Sequence, residues 1–285
     1  MKEFILDVVK GVLIGVANVI PGVSGGTLAV STGVYEKILN AINSLRKEFK
    51  NSIKTLFPFV IGIAIGVVAL AFVITMLLER YTIPTIACFI GLVLGGVPPI
   101  VGKIKDEKIK WTHIVSFILT LAIIIVPTIV AINTPAVTKV EFNLINSLIF
   151  GALGIISAGA MVVPGVSGSM VLMMLGYYES VITSIKNAIT YIVHFDFTSF
   201  FAESLILIPF GIGVLLGIII ISKIISFFLK RYPNASHWGI LGLIVASPFA
   251  IIIKAGLLYY TPLNVLAAII TFLIGFLIST KLGEK

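Results

Sequence analysis

The chain has 285 residues, of which 59% are hydrophobic and only 11% charged, with a mean hydropathy of +1.17. That composition excludes a soluble globular domain of any class and makes a lipid bilayer the solvent. The net charge of +8 points to membrane phospholipids with anionic headgroups rather than to nucleic acid, because the charges gather at the ends of apolar runs.

The first apolar stretch, Gly11 to Ile20, is expected to form about ten residues of helix, or about 15 Å, which reaches mid-membrane and no further. It has no Ala-x-Ala-type cleavage site, so no signal peptide is predicted and the mature chain is expected to begin at Met1. Pro21-Gly22-Val23-Ser24-Gly25-Gly26 then breaks the helix, since proline lacks a donor N–H and glycine admits conformations other residues avoid. A second helical run to about Leu45 brings the chain back, completing a re-entrant hairpin that is tolerable only where its tip is buried in protein or lines a watery cavity. After a solvated charge run from Arg46 to Lys54, apolar runs near 56–78, 84–102 and 112–132 are each long enough to cross a hydrocarbon core of about 30 Å. The lone cysteine, Cys88, lies within the second of these and reads as a packing residue.

The pattern then repeats. Pro164-Gly165-Val166-Ser167-Gly168 echoes Pro21-Gly22-Val23-Ser24-Gly25 at an offset of 143, which also aligns Gly33, Tyr35 and Glu36 with Gly176, Tyr178 and Glu179. Downstream the offset becomes 151, aligning Gly62 and Gly66 with Gly213 and Gly217, Arg80-Tyr81 with Arg231-Tyr232, and Lys103 with Lys254. Further spans follow near 204–229, 237–254 and 262–280, giving six in all. Residues 1–132 are therefore expected to form a first repeat, 133–144 an external connection and 145–285 a second repeat. The fold class expected is an all-α membrane protein of two inverted-topology repeats, each a re-entrant helical hairpin plus three transmembrane helices. Sixteen of the twenty Lys and Arg residues fall on one face of this topology, which places both termini in the cytoplasm.

The hairpin tips are the first candidate site. Ser24, Gly25, Gly26 and Thr27 open one helix, as Ser167, Gly168 and Ser169 open another, and a helix start offers N–H donors and positive dipole to an anion. The same small residues also suit close helix crossing, with the hydroxyls as caps. Glu36 and Glu179, about ten residues past their tips, are candidate proton carriers or interfacial carboxylates paired with a neighbour such as Lys37. Arg80 and Arg231 end equivalent spans, where a guanidinium suits phosphate or simply snorkels; Arg80 with Lys254 and Arg231 with Lys103 would make a cationic pair at each face. Gly22-Val23-Ser24-Gly25-Gly26 fits the Gly-x-Ser-x-Gly hydrolase pattern, but a helix precedes it and the three histidines, His113, His194 and His237, fall at span ends. No metal-ligand cluster, Walker loop or dinucleotide fingerprint occurs, so no metal or cofactor is expected.

With Asn18-Val19-Ile20-Pro21-Gly22-Val23-Ser24-Gly25-Gly26-Thr27 and its echo at 164–169, the chain resembles the polyprenyl-phosphate transporter family, PopT-type, over essentially its whole length. The resemblance implies recycling of undecaprenyl phosphate or a related carrier lipid from the outer to the inner leaflet of the cell membrane. It adds Asn18 to the residues expected around the lipid phosphate. The tips are also similar to the Pro-Gly-x-Ser-Arg-Ser motif of undecaprenyl pyrophosphate phosphatases, but Gly25 and Gly168 stand where that motif has Arg, and no Glu-x-x-x-Glu precedes either tip. Transport without hydrolysis is therefore expected. A lipid-phosphate phosphatase-like enzyme and a small-anion carrier are the alternatives.

Overall fold

A computed structural model describes residues 2–19, 24–104, 108–132, 137, 143–255 and 261–283. Among them are thirteen helices. The first half holds α1 (Lys2–Val19), α2 (Gly25–Ser31), α3 (Tyr35–Ser44), α4 (Phe49–Arg80), α5 (Thr82–Leu94), α6 (Val97–Ile104) and α7 (Trp111–Ile132). The second holds α8 (Leu144–Val162), α9 (Gly168–Met174), α10 (Tyr178–Val193), α11 (Phe197–Arg231), α12 (Pro233–Ala255) and α13 (Pro262–Gly283). Helix boundaries recur at the spacings read from the sequence. α2 and α9 are offset by 143, and α7 and α13 by 151.

Among the described residues, seven stretches are long and apolar enough to cross a membrane, against the six expected, the additional one being α8 over Leu144–Val162. The arm before the first tip exceeds the ten residues expected, α1 having 18, and its counterpart α8 has 19. In α1 the extra length comes from the charged segment before Gly11. It stays helical because its buried Asp7 accepts from Lys37 at 2.6 Å. The arms after the tips are broken: α2 and α9 have seven residues each, about 10 Å at 1.5 Å per residue, too short to cross.

Four tight pairings organise the bundle: α1 with α4, α8 with α11, α5 with α13 and α7 with α12. Glycine sets their closeness. A β-carbon at Gly62 on α4 would overlap the Val8 carbonyl oxygen on α1, and one at Gly213 on α11 would overlap that of Gly151 on α8. Hydroxyls bind the other two pairs, Thr271 donating to the Pro84 carbonyl at 2.7 Å and Thr120 to that of Gly239 at 2.8 Å. Apolar side chains such as Phe201, Leu215 and Leu263 stay exposed, as helices facing lipid require.

Candidate functional site

The tips begin at Ser24 and Ser167, which adopt the same extended backbone, φ −106° and ψ 129° for Ser24 against φ −103° and ψ 129° for Ser167. Pro21, Gly22 and Val23 lie outside the described residues. Each serine precedes a seven-residue helix without its own hydroxyl capping that helix. The Ser24 hydroxyl is buried with no hydrogen-bond partner, whereas the Ser167 and Ser169 hydroxyls lie 2.7 Å apart and bond to each other.

The tips touch. Thr27, fully buried on α2, accepts a hydrogen bond from the Gly165 amide at 2.5 Å, a contact 138 residues apart in sequence. Gly165 has φ +83°, a left-handed conformation that suits glycine and aims its N–H at Thr27. A β-carbon at Gly26 would lie 3.0 Å from the Met161 carbonyl oxygen and 3.4 Å from Pro164 Cα, so the first tip rests on the second. Tyr35 closes the junction by donating to the Val162 carbonyl, at the end of α8, at 2.8 Å.

Asn18 acts as a local cap. Its Oδ1 accepts from the Gly25 amide at 3.2 Å, holding the position an anion oxygen would take at a helix start. Beside it is a cavity of about 290 Å³ lined by Asn18, Gly25, Gly26 and Tyr35 at its polar end, and by side chains such as Ile63, Met161 and Ile218 elsewhere. The tip residues do not share one cavity. The cavity is largely apolar and takes only Gly25 and Gly26 of the tip residues, because the tips pack on each other and bury Ser24, Thr27 and Gly168.

Arg80 and Arg231 sit exposed at the ends of α4 and α11, and neither has an ion pair among the described residues or lines the tip cavity. Glu36 and Glu179 begin α3 and α10 in equivalent positions. Glu36 does not pair with Lys37, which is committed to Asp7. It accepts from Lys103 on α6 at 2.8 Å. That bond holds the Glu36 carboxyl below its ordinary range, against the opposing effect of partial burial. Lys103 therefore stands with a carboxylate. The side chain of Lys254 lies outside the described residues.

Two residues carry more of this region than the sequence reading gave them. Tyr35, singled out only as a repeat match, links the tips, and His237 on α12 lies 3.9 Å from Glu36.

Comparison with known proteins follows the same outline. The model of a family described as VCA0040-like, undecaprenyl phosphate translocase-like, matches residues 14–263. A protein of Staphylococcus aureus named polyprenyl-phosphate transporter is 34% identical over 287 residues, covering 98% of this chain and 96% of that one. One of Vibrio cholerae with the same name is 30% identical over 262 residues, covering 86% and 76%. No solved structure matches the chain.

Proposed function

The chain belongs to the undecaprenyl phosphate translocase-like family of multi-pass membrane transporters, and from that premise we propose that it carries a polyprenyl phosphate from the outer to the inner leaflet, returning the carrier lipid for reuse. The observation that carries the reading is the junction of the two tips, where Thr27 of one half accepts from Gly165 of the other. A phosphate crossing hydrocarbon loses its water at great cost unless fixed dipoles and cations replace it. Paired helix starts supply such dipoles, while the isoprenoid chain remains in lipid.

In this reading the halves are inverted repeats, each with a re-entrant hairpin, and both termini are cytoplasmic. Support comes from the recurring helix boundaries, the seven-residue helices after each tip and the sixteen-to-four division of cations. Ser24, Gly25, Gly26, Thr27, Ser167, Gly168, Ser169 and Asn18 surround the phosphate path, with Arg80 and Arg231 at its two ends. Asn18 gives up the Gly25 amide when a phosphate oxygen arrives. The reaction is transport rather than hydrolysis, since Gly25 and Gly168 replace the arginine a phosphatase would use.

Leaflet-resolved transport of undecaprenyl phosphate in liposomes containing only this protein tests the proposal. A β-carbon at Gly25 meets the Asn18 side chain at 2.7 Å, and that side chain can yield, so Gly25→Leu fills the tip cavity while the backbone holds. Gly25→Leu should abolish transport in protein that remains folded and inserted. Transport at the parental rate would remove the tips from the mechanism.

A further inference from the structure

We infer that the protein holds a second lipid-phosphate site where α3, α6 and α12 meet, with the phosphate between Lys103 and His237 and the hydrocarbon chain in an adjoining apolar cavity. The inference rests on the transport reading above and adds a station for the headgroup next to the tips, whose Pro164 and neighbouring Tyr35 line the apolar cavity.

Two cavities of opposite character adjoin here. One, of about 250 Å³, is lined by Glu36, Lys103 and His237 together with Val30 and Pro99. The other, of about 460 Å³, is walled by apolar side chains including Leu119, Ile123, Ile225, Phe228 and Leu243. Tyr35 and Ile240 belong to the walls of both. A ligand that fills the two must carry an ionic head on a hydrocarbon strand, and the cations at the polar end select a negative head.

The polar cavity has an unmet demand. His237 has a side chain only 14% exposed, and both its ring nitrogens are buried without a hydrogen-bond partner. Its closest acid, Glu36 Oε1, stands at 3.9 Å, too far to bond. A buried polar group left unpaired costs free energy that an incoming acceptor recovers. Lys103 is 2.8 Å from the same Glu36 oxygen, so one carboxylate oxygen stands where an ammonium and an imidazole converge. That carboxylate marks an anion's place and is the group a phosphate displaces. A phosphate monoester brings greater charge and three acceptor oxygens, enough to satisfy Lys103 and His237 together. The Glu36 side chain is 52% exposed, so it can leave for solvent at little cost.

The repeat supplies an internal contrast. At the offset of 151, the residue equivalent to His237 is Ile86, a buried core residue. The imidazole therefore belongs to one half only, and the site is built on a single face, the one that holds Lys103 and Arg231 and that the division of cations assigns to the cytoplasm.

The test is equilibrium binding to the full-length protein in lipid nanodiscs, with farnesyl phosphate, farnesol and inorganic phosphate as probes. Lys103→Gln and His237→Gln should each weaken farnesyl phosphate by at least about tenfold, the loss of one charged hydrogen bond, and leave farnesol unchanged. Ile123→Trp should weaken both farnesyl probes and leave inorganic phosphate unchanged. Glu36→Gln, which removes the competing carboxylate, should tighten farnesyl phosphate, a gain that misfolding cannot produce. Parental affinity in both Lys103→Gln and His237→Gln overturns the site. Inorganic phosphate binding as tightly as farnesyl phosphate, with Ile123→Trp silent, overturns the lipid assignment in favour of free phosphate. Failure here is separable from failure of the tips. If Gly25→Leu blocks transport while Lys103→Gln and His237→Gln both bind normally, only this inference falls. If Gly25→Leu transports normally while Lys103→Gln loses binding, only the tip reading falls.

Discussion

Thr27→Val isolates the junction between the halves. Valine reproduces threonine's shape and fills the same fully buried site, so no cavity opens. What disappears is the acceptor for the Gly165 amide. The backbone at Gly165 has little room to shift, since a β-carbon built there would already lie 2.9 Å from both Ile124 Cδ1 and the Leu243 carbonyl oxygen. An orphaned buried donor costs about 1–3 kcal/mol, which is roughly a 5- to 150-fold shift from joined toward parted tips. Thr27→Ser keeps the oxygen and loses one methyl, at about 0.8 kcal/mol. Unfolding in mixed micelles titrated with a denaturing detergent reads the stability, and proteoliposome uptake reads the function. Thr27→Val should unfold earlier than Thr27→Ser and alter transport more. Equal stability of Thr27→Val and the parent, with uptake within about twofold, would refute a structural junction at this hydrogen bond.

Glycine contacts offer a sharper contrast on a single helix. Gly213→Ala places a methyl into the Gly151 carbonyl and should destabilise by about 1–3 kcal/mol, whereas Gly211→Ala, whose β-carbon meets nothing within 4 Å, should be neutral or stabilise by up to about 1 kcal/mol; detergent titration of both variants checks the difference. Arg80→Gln should slow capture from the outer leaflet more than from the inner, and Arg231→Gln the reverse, measured by leaflet-specific uptake in oriented vesicles. Lys at either position should retain part of the activity, having the charge without the planar fork.

Much of the helical frame was legible because glycine, proline and charge recur at fixed spacing. Arg80-Tyr81 and Arg231-Tyr232 mark the ends of α4 and α11, and Gly62, Gly66, Gly213 and Gly217 lie at the tight contacts those two helices make. Hydropathy missed the length of α1, since Asp7 and Lys10 read as a boundary until burial and the Lys37 pairing are known. Partner choice was not legible either. Glu36 and Lys37 are neighbours in sequence, but consecutive helical residues diverge by about 100°, so Lys37 turns to α1 and Glu36 to α6. The junction of Thr27 with Gly165 and the place of His237 depend on how distant helices pack, which no local spacing encodes. The tip residues are legible as a pattern, whereas their division between capping, burial and cavity lining is set by the packing of distant helices.

The exchange of partners between halves has a consequence for how the protein is made. α5 emerges early, yet the surface it packs against belongs to α13, the final helix described. A β-carbon at Gly91 on α5 would overlap the Phe272 carbonyl, and one at Gly275 on α13 would overlap that of Cys88, so this seam has no other natural filling. At about 5–20 residues per second, α13 begins roughly 170 residues after α5 ends, and α5 waits some ten to thirty seconds in the bilayer with its seam open. α7 waits for α12 in the same way, over the roughly 100 residues between Ile132 and Pro233. During that interval the open seam of α5 is available to other helices, and its closure waits on the synthesis of α13.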